Sequence, residues 1–195
     1  MKKPLLIALI LSMVVFLLLS PVFIKLTSYL HPIVLAVVLF CMVLLLFYIV
    51  LVFRKETIHL PYSLIKIVLT LYTFALLILL FFRPNNQNYH SMNLVPFSTI
   101  SYFLSGKVNW LISFYNLAAN IGLFIPYGIY LMMRNQGAKL KLIIFPVTAI
   151  ALIEILQFLT HRGSMDVDDL ILNFLGVVIG YLFYPTFKRT VNLHS

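Results

Sequence analysis

Residues 33–53 read IVLAVVLFCMVLLLFYIVLVF, twenty-one positions without a charged side chain. A helix rises about 1.5 Å per residue, so this run is long enough to cross a hydrocarbon core about 30 Å thick. Working outward, five more apolar runs have similar length: Leu5 to Ile24, Tyr62 to Phe82, Leu111 to Met133, Leu142 to Leu159 and Leu170 to Phe187. The whole chain of 195 residues is 63% hydrophobic and 10% charged, with a mean hydropathy of +1.07. Soluble domains carry about a quarter charged residues, so the composition excludes that class. The expected fold is all-α, a polytopic transmembrane helix bundle of six spans. Lys2 and Lys3 ahead of the first run resemble a signal peptide, but the run is too long and has no small-x-small cleavage site, which predicts a retained anchor helix.

Bases in the short connections set the orientation. With the N-terminus inside, Lys2, Lys3, Arg54, Lys55, Arg134, Lys139, Lys141, Lys188 and Arg189 fall on the cytoplasmic side, and Lys25, Arg83, Lys107 and Arg162 on the outer side. Nine against four predicts cytoplasmic N- and C-termini. Lys66 then lies near the cytoplasmic end of the third span, where its stem can snorkel. The net charge of +9 accordingly reports topology and contact with anionic lipid, and no nucleic-acid partner is expected. Cys41 is the single cysteine, so no intramolecular disulfide can form. His31, His59 and His90 are read as surface residues of the connections.

Against this hydrocarbon background, four of the five acidic residues, Glu154, Asp166, Asp168 and Asp169, fall within 16 consecutive positions. A charged carboxylate near the bilayer centre costs at least about 2.5–3.5 kcal/mol, so Glu154 is expected to be protonated, paired or beside a hydrated cavity. Glu154, Gln157 and His161 are spaced i, i+3, i+7, one stripe of a helix, and Arg162 follows. Asp169, Asn173, Gly176 and Gly180 form a second stripe, whose Gly-x-x-x-Gly pair predicts close helix approach. A helix N-terminus accepts an acidic cap but needs one, not three. Asp168 and Asp169 point about 100° apart and are expected to do different work.

Span four carries Asn116 and Asn120 at i, i+4, together with Pro126, which frees the Gly122 carbonyl. The loop before it, about Arg83 to Trp110, contains an apolar segment, Leu94 to Leu104, that is too short to span. An interfacial or re-entrant segment started at Pro96 is expected there, with Trp110 suited to the headgroup region. Under the predicted topology all these features meet on the outer face as one composite polar site.

The strings Asn93-Leu-Val-Pro-Phe97, Asn120-Ile-Gly-Leu-Phe-Ile-Pro-Tyr-Gly128, Glu154-Ile-Leu-Gln157 and Asp166-Val-Asp-Asp169-Leu-Ile-Leu-Asn173-Phe-Leu-Gly176, in this order and spacing and with Arg162 ahead of the last, resemble the VanZ-like family. The resemblance divides the chain into two N-terminal transmembrane helices (1–63), a VanZ-like domain (64–187) and a short cytoplasmic tail (188–195). It implies a multi-pass protein of the bacterial cell membrane, related to one associated with resistance to the lipidated glycopeptide teicoplanin. It supplies no reaction. The site residues it implies are Asn93, Pro96, Phe97, Asn120, Pro126, Glu154, Gln157, Arg162, Asp166, Asp168, Asp169 and Asn173; Asn116 and His161 join them from the helical stripes.

Three mechanisms follow from these residues. The first is recognition or handling of a lipid or cell-wall intermediate at the outer leaflet, with membrane lipid, a lipid-linked precursor or a lipoglycopeptide as partner. The second is a hydrolase or transferase acting on a phosphorylated lipid headgroup, with Asp166, Asp168, Asp169 and Glu154 holding a divalent cation as cofactor. No catalytic serine order, zinc-binding histidine pair or glycine-rich phosphate loop accompanies it. The third is a small lipid or ion transporter responding through Glu154; no internal repeat supports it.

Overall fold

The structure, a computed structural model, describes residues 2–27, 33–81, 92–135 and 137–194. His31, Arg83 and His90 lie outside the described residues. Seven helices are present among those described: α1 (Lys2–Thr27), α2 (Ile33–Arg54), α3 (Tyr62–Phe81), α4 (Ser98–Leu104), α5 (Trp110–Arg134), α6 (Lys139–Leu159) and α7 (Val167–Thr190). All except the 7-residue α4 are long and apolar enough to cross a membrane. This is the expected all-α bundle of six spans. Four short strands, which the apolar runs did not announce, form two parallel pairs: β1 (Ile58–Pro61) with β4 (Val191–His194), and β2 (Met92–Asn93) with β3 (Met165–Asp166).

Contacts divide the chain into two units, residues 1–84 with 186–195, and residues 85–185. In the first unit α2 closes with both hydrogen bonds of a Schellman turn, Lys55 N to the Val52 carbonyl and Glu56 N to the Leu51 carbonyl, while Lys55 sits at φ 52°. The Arg54 guanidinium bonds Glu56 at 2.6 Å across this turn. The turn delivers β1 to β4, pairing Ile58 with Val191. Leu51, Ile58 and Val191 form a buried cluster, with Phe47, Leu60, Phe187 and Leu193 packed against it. The tail is therefore folded: α7 continues to Thr190 and β4 follows at once. Lys66 holds its ammonium 4.9 Å from the centre of the Tyr62 ring, one turn back toward the start of α3.

Proline inside a helix orphans the carbonyl four residues earlier, and in lipid no water is available to replace the lost donor. Two of these carbonyls have visible replacements. Pro21 frees the Leu17 carbonyl, which accepts from the Ser20 hydroxyl at 2.8 Å. In the second unit Pro146 frees the Leu142 carbonyl of α6, and the Tyr181 hydroxyl of α7 donates to it at 2.5 Å. The repair of a helix defect thus becomes a bond between helices.

The closest packing in the second unit is between α5 and α7, where glycines bring backbone against backbone. A Cβ on Gly176 would lie 2.1 Å from the Ile121 carbonyl oxygen; one on Gly180 would lie 2.3 Å from that of Ile125, and one on Gly128 2.1 Å from that of Val177. Successive glycines on α7 meet successive turns of α5, so the two helices run parallel. Gly122 faces open space, with nothing within 4 Å of the place a Cβ would take. Gly176→Ala should therefore cost at least about 1–3 kcal/mol, because backbone atoms cannot rotate away. Gly122→Ala should be neutral or stabilising by about 0.5–1 kcal/mol. Thermal unfolding of the two purified variants in detergent would check this; equal midpoints would contradict the α5–α7 contact.

Candidate functional site

The acidic residues at the start of α7 serve different helices. Asp166 is the residue before α7, and its Oδ1 accepts from the Asp168 N–H at 2.9 Å, capping its own helix. It also accepts from the Asn93 side chain at 3.3 Å and, through Oδ2, from the Thr99 hydroxyl at 2.6 Å. Asn93 in turn bonds the hydroxyls of Ser98 (2.6 Å) and Thr99 (2.9 Å). These bonds flank the β2–β3 pair, in which Asn93 stands opposite Asp166.

Asp168 is fully buried, at 0% exposure, and reaches across to α4. Its Oδ1 accepts from the Phe97 N–H at 2.5 Å, and its Oδ2 accepts from the N–H groups of Thr99 (2.7 Å) and Ile100 (3.0 Å). A seven-residue helix is marginal alone, and its first amides have no partners inside it. α4 has no capping side chain of its own, so the carboxylate of another helix supplies the cap. Phe97, just before the helix, takes φ 64°, a left-handed conformation costly for a bulky residue and held here by its bond to Asp168. The helix accordingly begins at Ser98 and not at Pro96: a left-handed Phe97 separates the proline from it. The turn and helix present Leu94, Val95, Phe97, Tyr102 and Leu104 outward, each more than half exposed.

Asp169 leaves this arrangement and accepts from the Asn120 side chain of α5 at 2.5 Å. Asn116, one turn earlier, donates instead to the Ile112 carbonyl of its own helix at 2.8 Å. On α6, Glu154 and Gln157 continue a buried stripe begun by Pro146 and Ile150, and are 4% and 3% exposed. His161 does not extend it. α6 ends at Leu159 in a Schellman turn, with Arg162 N bonding the Gln157 carbonyl at 2.9 Å and His161 at φ 57°, exposed. Gly163 folds back so closely that a Cβ there would stand 3.2 Å from both Cβ and Nε2 of Gln157.

α6 and α7 run antiparallel, tied where Tyr181 meets Leu142. Asn173, 3% exposed, lies one turn beyond Asp169 on α7, beside the glycine face. Its Oδ1 has no hydrogen-bond partner among the described residues. Asn120 and Asp169, both half-buried, thus join α5 to α7, while Glu154 and Gln157 are buried on α6. The acceptor oxygens of Asp166 and Asp168 are directed at the protein's own donors, and among the described residues no three of His, Cys, Asp and Glu are grouped to hold a metal ion.

Thr99 and Ser98 were missed by sequence reasoning. The available signal was the surplus of acids at the start of α7 beside a segment too short to be a helix unaided. Asp168→Ala should leave three amides without an acceptor and cost about 3 kcal/mol, speeding hydrogen exchange across residues 94–104 by about 100-fold. Asp168→Asn should not rescue, since an amide nitrogen would face an N–H. Asp169→Asn should leave exchange in this segment unchanged; a rise there would break the division of labour between the two acids.

A sequence model of the VanZ/LLP1 family matches residues 35–188 of the 195, reaching further toward the N-terminus than the recognised strings and taking in most of α2. Protein VanZ of Enterococcus faecium is 27% identical over 132 residues, covering 64% of this chain and 75% of that protein. No solved structure matches. With six apolar helices and a family match over most of its length, the chain is a multi-pass membrane protein and belongs to the VanZ/LLP1 family.

Proposed function

We propose that this protein recognises or handles a lipid or lipid-linked cell-wall intermediate at the outer leaflet of a bacterial cell membrane, and that it thereby lowers susceptibility to lipidated glycopeptides such as teicoplanin. The observation that carries this reading is the coincidence, in the second unit, of polar side chains drawn inside on α5, α6 and α7 with an outward-facing apolar turn and short helix. Such a pair suits an amphiphile: Leu94, Val95, Phe97 and Leu104 offer contact to acyl chains, and the half-buried Asn120–Asp169 pair offers polar contact to a headgroup. The distribution of lysine and arginine favours cytoplasmic termini, which would put this end of α5, α6 and α7 outside. The name of the Enterococcus relative supports the link to glycopeptides, and teicoplanin carries an acyl chain.

The test is the inhibitory concentration of teicoplanin and of vancomycin in a susceptible Gram-positive host expressing the wild-type chain or Asp169→Asn, with membrane levels checked by immunoblot. The wild type should protect selectively against teicoplanin, and the substitution should remove the protection while leaving the protein in the membrane. An unprotected host with well-inserted wild type would overturn the resistance reading; equal protection by both chains would overturn the role of Asp169.

A further inference from the structure

We infer that the end of the first unit where β1 meets β4 binds the headgroup of an anionic phospholipid. The strand pair gathers this end. β1 leads from the close of α2 into α3, and its pairing with β4 brings in the close of α7. α1 packs along α2. The link from Thr27 to Ile33 reaches at most about 22 Å, short of the roughly 33 Å length of α2, so the two helices run antiparallel and α1 starts where α2 ends.

These segments all bring exposed bases: Lys3, the pair Arg54-Lys55, Lys66, and the pair Lys188-Arg189. Of the chain's five acidic side chains this unit has one, Glu56, and Arg54 holds it at 2.6 Å. α1 and α3 start here without an acid in the first turn, and Lys3 adds a cation where the helix dipole favours an anion. The register brings the two basic pairs together. Lys55 stands three residues before Ile58 and Lys188 three before Val191, partners at the first rung of strands that run parallel about 4.8 Å apart. Setting topology requires only that bases lie on one side of the membrane, not that distant segments carry them to one rung. A phosphodiester accepts the charge-assisted bonds that Lys and Arg donate and offsets the excess charge. The phosphate belongs to a lipid, because apolar surface borders the bases: Phe53, next to Arg54, is 84% exposed, and Ile67, next to Lys66, is 55% exposed. Acyl chains use such a border and a soluble phosphate does not.

Thermal unfolding of the purified full chain in detergent tests this, using short-chain phosphatidylglycerol, short-chain phosphatidylcholine and glycerol phosphate as probes. Phosphatidylglycerol should raise the midpoint by about 5 °C at saturation, and neither of the others should. Lys55→Gln combined with Lys188→Gln should remove most of the shift, whereas Lys107→Gln, which removes an exposed base of the second unit, should keep it. Should the double variant fail to fold, the wild type still decides: its shift should fall by more than half between about 0.1 and 1 M salt, as the Debye length contracts from about 10 to 3 Å. An equal shift with phosphatidylcholine or with glycerol phosphate, a full shift in the folded double variant, or a shift indifferent to salt would each overturn the proposal. The readout is binding at the first unit alone, so its failure leaves the antibiotic result standing, and the reverse.

Discussion

The site depends on one buried carboxylate. Asp168 gathers the N–H groups of Phe97, Thr99 and Ile100, and without it neither the short helix nor the left-handed Phe97 before it has a local reason to persist. In water the exposed amides of a frayed helix start would simply be solvated. Here the fully buried Asp168 takes that role, so a carboxylate that would be expensive to bury in isolation becomes their partner. Asp166 and Asn93 then fix the strand pair that brings the two segments together. Two of the four clustered acids are thus structural, and their burial follows from the bonds they make.

The same principle governs the helices. Pro146 takes a donor from Leu142, and Tyr181 restores it from a neighbouring helix. Gly128, Gly176 and Gly180 remove side chains where α5 and α7 meet, which leaves the polar residues on the adjoining turns facing inward. Asn120 and Asp169 find each other there. Packing and polarity are consequently set by the same face of α7, so the position of Asn173 is fixed by the glycines next to it.

Much of this was legible in the sequence. The six spans followed from length and hydropathy, because lipid makes an apolar run of that length nearly synonymous with a helix. The Gly176 and Gly180 contact followed from their spacing, as did the separation of Asp168 from Asp169. The strand pairs did not, since two or four residues of parallel pairing between distant segments leave no periodic trace. His161 was placed on the α6 stripe because nothing in its identity announces a left-handed turn; glycine is the usual residue there. Asn116 shared a face with Asn120 but bonded its own backbone, a choice that spacing cannot express.

The β1–β4 pair has a bearing on how the chain is made. Ile58 and Val191 are partners separated by 133 positions, and both contribute to the cluster that includes Leu51. Emerging from the ribosome in order, α1 to α3 enter the membrane long before β4 exists, so their unit must wait with an unpaired strand edge and an open apolar patch. Such non-local closure is slow, and a waiting edge can pair with the wrong chain. Closure of the unit that holds α1 to α3 is thus delayed until β4 has been synthesised.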